Sequence, residues 1–487
     1  MGDSWILGIH DGRDAGAALV DQAGRLQFAV SEERLTRRAH QAGFPVRAVE
    51  LALQERMSRG GRLGAVAVAG KAGRWPFRRF EAWYRQADRP RGPLDPSARL
   101  ASAWARAEAR WLAGPSERAS QALLTERLRG MGIHESPHLV EHHDCLAWAA
   151  AAGGDDALVV TMDTHGDGLA GTIHRLEGGL SAAPRLRRCR RTPAPHGAAL
   201  LCEAVTQLLG FAEGAEDKVV ARGAHGDPER LRGQLAGVLE VRDGQPHLVG
   251  RDPLHRLMQR LRDEPAEDIA AALQAHIEDV AVRVIHQARR DFGGRQLRLA
   301  GSLFRNVGLV RRVALDALDA GASDVFVFPA MGDEALPAGA AIAHRVALGG
   351  PAAGMQDARI GPLAWDESAP MPMRVPPLPI TADVDLARAA LLAGDVVGRC
   401  SRRMEYGPRA LGARSLLFLP DDPARGRQVN ATLGRDWMMP FGSLLPEEEA
   451  PRLLARWGEG LAPLTRYMTV ALPATPTVTY EAVKKTV

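Results

Sequence analysis

The sequence predicts an α/β protein. Three observations predict it: apolar runs of strand length recur, several of them end in a glycine–aspartate turn, and strands alternate with helical spacing in residues 269–328. The first forty residues read as strand, turn, strand, turn, strand. Residues 5–10 are apolar, 11–16 turn, 17–20 are apolar again, 21–24 turn, and 25–30 alternate. A further strand is expected at 157–162, running into Asp163-Thr164-His165-Gly166-Asp167-Gly168. From Ile269, the apolar residues Leu273, Ile277, Val280, Val284 and Ala288 recur every three or four positions, the spacing of an amphipathic helix. Gly293-Gly294 stops that helix, and two short strands follow at 296–300 and 324–328.

Composition narrows the class. The chain has 487 residues, 46% hydrophobic and 25% charged, a mix that excludes wholesale disorder and implies two or three domains. No run approaches the roughly 20 apolar residues of a membrane span. The N-terminus lacks a basic, then apolar, leader pattern. Cys145, Cys189, Cys202 and Cys400 stand far apart without a CxxC, so neither a zinc ribbon nor a disulfide framework is expected. A soluble, cytoplasmic protein is the expectation. A net charge of +4 is too small a bias for a nucleic-acid partner. Residues 71–130, rich in arginine and tryptophan at helical spacing, read as a helical insertion with a solvated face. Prolines between Pro362 and Pro379 read as a linker, dividing a domain of residues 1–375 from a second of 376–487. The four lysines are Lys71, Lys218, Lys484 and Lys485, which singles out Lys218.

The chemistry is expected in the turns that follow strands: GIHDGRDAG at 8–16, MDTHGDG at 162–168, AGSLFRN at 300–306 and PAMGDEALPAGAA at 329–341. Glycine lets the backbone approach a phosphate closely, and an aspartate at a strand end can hold a metal or a water. The ordered set resembles the phosphate-1, phosphate-2 and adenosine motifs of the actin-like ATPase fold. With SEERLTRRAHQAGFP (31–45), EDKVVARGAHGDP (216–228) and RRMEYGPRALGARSL (402–416), it resembles the NodU/CmcH-type carbamoyltransferase family, from Ile6 to about Thr469.

That resemblance implies a duplicated actin-like (ribonuclease H-like) domain with a helical insertion, followed by a smaller, incomplete YrdC-like α/β domain. It implies transfer of a carbamoyl group from carbamoyl phosphate, through carbamoyl adenylate made with ATP, to a hydroxyl of a small molecule in specialised metabolism. The implied cofactors are ATP and a divalent metal, iron foremost, with magnesium as a further candidate. The implied metal ligands are His142, Asp163 and Asp333, and the implied catalytic residues are Asp14, His40 and Lys218. Gly301, Asn306, Gly332, Gly339, Arg403, Glu405, Arg409, Arg414, Ser415, Asn430 and Arg435 match cofactor-binding positions. Arg409 and Arg414 suit a phosphate, which guanidinium binds through paired donors.

Several positions depart from the family's pattern. Arg13 stands where a histidine precedes Asp14, and strand alternation is expected to point His10 elsewhere. Ala39 replaces a lysine, Ser302 a glycine and Ala413 an asparagine. Leu146 replaces the last histidine of an HHxxH run, the second metal ligand after His142, and cannot coordinate. Asp144 and Cys145 are its candidate substitutes, and His138 lies on chain expected to be extended. The family's later C-terminal segments have no counterpart, so a second chain completing that domain is one expected partner and a homodimer another. Two further readings remain: a catalytically impaired nucleotide-binding homologue, and a tRNA-modifying relative supported by the basic insertion alone.

Overall fold

The computed structural model describes residues 4–70, 113–179, 184–363, 384–458 and 460–475. Most of the expected helical insertion (71–112), most of the proline stretch and the last residues of the chain lie outside them.

Strands β1 (Ser4–His10), β2 (Gly16–Val20) and β3 (Leu26–Ser31) form the antiparallel meander expected from the two turns. β4 (Arg62–Ala69) joins β1 in parallel, and β5 (Pro137–Val140) joins β4 in parallel, giving the order β3-β2-β1-β4-β5. The pattern then recurs. β6 (Ala157–Gly166), β7 (Leu169–Glu177) and β8 (Arg185–Pro193) form a second meander. A separate hairpin of β9 (Leu239–Arg242) and β10 (Gln245–Leu248) intervenes. β11 (Gln296–Ala300) and β12 (Asp324–Val327) then extend the second sheet in parallel, giving β12-β11-β6-β7-β8. Both sheets thus share one topology, three antiparallel strands and then two parallel ones, which is the duplicated actin-like arrangement.

Strand alternation divides the core. In β1, Leu7 and Ile9 face the outer layer while Ile6 faces the centre; in β6, Leu158, Val160 and Met162 face outward while Ala157 and Val159 face the centre. Helices α1 (Val46–Ser58) and α2 (Ala113–Gly130) cover the outer face of the first sheet. The centre is filled by α3 (His142–Ala151). The second sheet is covered by α4 (Ala198–Leu208), α5 (Glu216–Gly223), α6 (Ala266–Phe292) and α7 (Val307–Asp319). The final central helix is α8 (Leu336–Ala347). α3 follows the first sheet yet packs on the second, and α8 does the reverse. The two cross where a Cβ on Gly339 would lie 1.8 Å from the Cys145 carbonyl oxygen, so glycine permits the close approach.

The C-terminal region is small. Its regular structure is α9 (Val384–Ala393), the antiparallel pair β13 (Val397–Cys400) and β14 (Arg414–Leu417), α10 (Pro423–Thr432) and two single-turn helices at Ala450–Leu453 and Ala462–Arg466. α9 has no buried residue. Leu461 and Leu464, in contrast, are fully buried in the core of the second sheet, so the chain returns there after α10. Among the described residues no helix is long and apolar enough to cross a membrane.

Candidate active site

The carboxyl ends of β1 and β6, the turn after β12 and the first residue of α3 converge between the two sheets. In open α/β folds this is where ligands sit. His142 opens α3, whose N-terminus is capped by Glu141. That carboxylate accepts from the backbone N–H groups of His143 and Asp144 at 3.1 and 3.0 Å. Asp167 accepts the His142 N–H at 2.8 Å. Gly166 leaves room for the imidazole, since a Cβ there would come within 2.2 Å of the ring.

His142 Nε2 lies 3.5 Å from Asp163 Oδ2 and 3.8 Å from Asp333 Oδ1. One ligand atom from each of the three lies within 4.8 Å of the others. His142 and Asp163 are buried, and His142 Nε2 and Asp163 Oδ2 have no hydrogen-bond partner. The other Asp163 oxygen accepts from Ser302 Oγ at 2.5 Å and from the Thr164 N–H at 2.7 Å. Burial pushes the His142 imidazole down, but the facing Asp163 carboxylate and the charges of Asp333 and Asp167 outweigh it and hold it at about 9. Burial also opposes ionisation of Asp163, yet His142 and Ser302 keep its carboxyl well below the usual range. Two buried, unsatisfied donor atoms aimed at one point are what a divalent metal would satisfy, and an imidazole with two carboxylates is a suitable donor set.

A second group lies beside the first. His40 Nδ1 and Asp14 Oδ1 are 2.8 Å apart, and the His40 N–H donates to Glu33 at 2.8 Å. Arg305 approaches the other Asp14 oxygen at 3.7 Å and pairs with Glu334. Burial raises the Asp14 carboxyl, but the His40 hydrogen bond and the charges of Arg305, His40 and Arg13 bring it below its ordinary value. The bond to Asp14 raises the His40 imidazole, outweighing burial. Arg13 turns away and pairs with Glu213. His10 turns inward, contrary to the expectation from strand alternation. As the last residue of β1 it shares the inner side with Ile6, and its Nε2 lies 3.9 Å from Asp333 Oδ2.

The candidate substitutes for Leu146 do not reach the centre. Asp144 pairs with Arg188 at 2.5 Å and with His174 at 3.2 Å, which bring it to about 2 against its burial. Cys145 is buried among the central apolar residues, which push its thiol up. His138 lies on β5, as extended chain, and stacks on His344 at 4.4 Å.

The remaining expected positions divide into two groups. Gly301, at φ +111°, forms the turn between β11 and the short helical turn carrying Ser302. Asn306 caps α7 and is held by Gln274. Gly332 starts the turn that presents Asp333. Arg409 reaches across from the C-terminal region and donates to the Arg305 carbonyl at 3.0 Å, with its Nε buried and unpartnered. These lie around the centre. The others make structural contacts. Gly339 belongs to the α3–α8 crossing. Arg403 bonds Glu55 at 2.7 Å. Glu405 accepts from the N–H groups of Leu411, Ala413 and Arg414, closing the loop between them. Arg414 donates to the Ser401, Arg402 and Ala413 carbonyls, and Ser415 accepts from Gly412. Asn430 and Arg435 bond each other and the Met439 and Pro440 carbonyls. Lys218 pairs with Asp436 at 2.8 Å.

The residues missed from sequence are Arg305, Glu334 and His10. Arg305 lies within the AGSLFRN motif, but its reach to Asp14 joins two turns far apart in the chain, which nothing local indicates.

Residues 247–342 match the family model for the carbamoyltransferase N-terminus, and residues 388–486 match that for the carbamoyltransferase C-terminus. The chain is 28% identical over 331 residues to the nodulation protein NolO of Bradyrhizobium diazoefficiens, covering 64% of this chain and 59% of that one. It is 25% identical over 335 residues to the nodulation protein NolNO of Sinorhizobium fredii, covering 64% and 48%. The alignments therefore span about half the length of these curated relatives. Among solved structures, full-length HypF in the phosphate- and nucleotide-bound form is similar at a TM-score of 0.40 and 12% identity, over 72% of this chain and 56% of that one. With both models matched in order along the chain and the NolO and NolNO relatives aligned beside them, the chain is similar to carbamoyltransferases over both of these regions, in line with the resemblance to the NodU/CmcH-type family.

Proposed function

We propose that the protein is an O-carbamoyltransferase, moving a carbamoyl group from carbamoyl phosphate to a hydroxyl of a small molecule in specialised metabolism. Water first cleaves carbamoyl phosphate to carbamate and phosphate; a carbamate oxygen then bonds to the α-phosphorus of ATP, pyrophosphate leaves, and carbamoyl adenylate forms. The observation that carries this reading is the meeting of His142, Asp163 and Asp333 around unsatisfied donor atoms, directly beside the Asp14–His40 pair. His142, Asp163 and Asp333 would hold a divalent metal, iron being the proposed ion, and its chemistry there would be Lewis-acid polarisation of a carbonyl or phosphate oxygen.

This chain's own residues supply the rest. Asp14, kept ionised by Arg305 and His40, orients the imidazole through Nδ1. Nε2 of His40 is then the nitrogen that accepts the proton of the attacking hydroxyl. The hydroxyl oxygen bonds to the carbamoyl carbon, the bond to the adenylate phosphate oxygen breaks, and AMP leaves with that electron pair. Arg305 and Arg409 supply positive charge beside the leaving phosphate. A small-molecule acceptor is the proposed partner. A protein covering α9, which buries none of its residues, is a further one.

A catalytically impaired nucleotide-binding homologue is the second reading. The Arg13–Glu213 pair and the apolar Leu146 favour it, because both stand where imidazoles are usual in the family. One assay separates the two: carbamoyl-phosphate-dependent conversion of ATP to AMP and pyrophosphate by the full chain with ferrous iron. Pyrophosphate release is expected. Its absence from folded protein would overturn the enzymatic reading in favour of the second.

A further inference from the structure

We infer that His10 is a positioning residue for Asp333, bracing one carboxylate oxygen so that the other faces His142. The inference rests on the metal-centre reading above. The two carboxylates of the centre share a design. Asp163 spends Oδ1 on Ser302 and the Thr164 N–H and leaves Oδ2 toward His142. Asp333 turns Oδ1 toward His142 at 3.8 Å and Oδ2 toward His10 at 3.9 Å.

The proton on His10 follows from its neighbours. Nε2 lies 2.9 Å from the Arg13 carbonyl oxygen, an acceptor, so Nε2 carries the hydrogen and donates it there; Asp333 Oδ2, 3.9 Å away, is outside hydrogen-bond reach and is held by the electrostatic pull of the same N–H. An N–H donor cannot ligate a metal through the same nitrogen, which makes His10 a brace rather than a ligand. Its seat is built into the turn. A Cβ on Gly12 would lie 2.7 Å from the Cε1 and Nε2 atoms of the ring, so this ring position requires glycine at 12. Arg13 meets Glu213 with its side chain, and its carbonyl oxygen meets His10. Partners behind a metal's ligands set their orientation, and losing one weakens metal binding about 10- to 100-fold.

The test is cobalt(II) titration of the full chain, followed by visible absorption and by bound-metal analysis, alongside thermal unfolding of each metal-free protein. His10→Leu is expected to weaken cobalt binding about 10- to 100-fold and to alter the absorption band. His10→Gln, which keeps an N–H at similar reach, is expected to restore most of the affinity. Gly12→Ala, which displaces the ring without removing it, is expected to behave like His10→Leu. Unchanged affinity and spectrum in His10→Leu would overturn the role, as would His10→Gln binding no better than His10→Leu. His142→Ala separates the two levels. If wild type and His142→Ala bind cobalt alike, the metal centre itself is overturned, and His10's role with it. If His142→Ala abolishes binding and His10→Leu keeps it, only the bracing role is lost.

Discussion

Asp14 lies between a histidine and an arginine, with its side chain 7% exposed. Its charge therefore acts on His40 with little solvent screening, and His40 titrates above the ordinary imidazole value. A general base works only when deprotonated. The rate is therefore expected to rise with pH and to level off above the ordinary imidazole range. Asp14→Asn removes the interaction that raises His40, so the acidic limb of the kcat/KM profile should move to lower pH while the plateau falls. His40→Gln should cost about 10²- to 10⁴-fold in rate. A limb that stays in place in Asp14→Asn would assign the base elsewhere. At this scale the grouping of His142, Asp163 and Asp333 was named through the family resemblance of the segments that carry them, and the structure brings the three together. Arg305 and Glu334 were not legible, because their pairing with each other and with Asp14 joins separate turns.

The helices at the centre show why elements, and not only residues, set the site. α3 carries His142 at its N-terminus, and the segment just before α8 carries Asp333, so their crossing holds two of the three donors in register. Gly339 sits at that crossing with no space for a Cβ. Gly339→Val is expected to destabilise the protein by about 1–3 kcal/mol or more through overpacking, measured by urea unfolding. It should also weaken the proposed metal binding, because the helices must separate. An unchanged unfolding midpoint would mean that the crossing is not tight. The sequence presents Gly339 as a motif glycine, and the motif alone cannot distinguish a phosphate approach from a helix approach. The packing against Cys145 distinguishes them.

Across the whole molecule, contacts tie the C-terminal region to the two sheets. Tyr406 is buried with its hydroxyl on the Glu334 carbonyl, Arg403 meets Glu55, and Lys218 meets Asp436. Lys218, noted for its rarity and implied as catalytic by the family resemblance, pairs with Asp436 of the C-terminal region, with Arg222 stacked on the same Phe211 ring. Lys218→Ala and Asp436→Ala are therefore expected to have equal, small effects, with a coupling of about 0–1 kcal/mol in a double-mutant cycle on stability. If Lys218→Ala abolishes carbamoyl transfer while Asp436→Ala does not, Lys218 acts on substrate instead.

The sequence by itself determined the α/β class, the first meander, the long amphipathic helix α6 and the turns that carry the donors. These depend on local periodicity and on the special backbone demands of glycine and aspartate, which are readable in a short window. Only the tertiary structure decided which way His10 points, that Arg13 is drawn off by Glu213, that Asp144 serves Arg188 and His174, and that Leu461 and Leu464 return to the second sheet. Each of these depends on an approach between segments far apart in the chain. Such an approach is set by how two sheets and two crossing helices pack, and no local pattern encodes it.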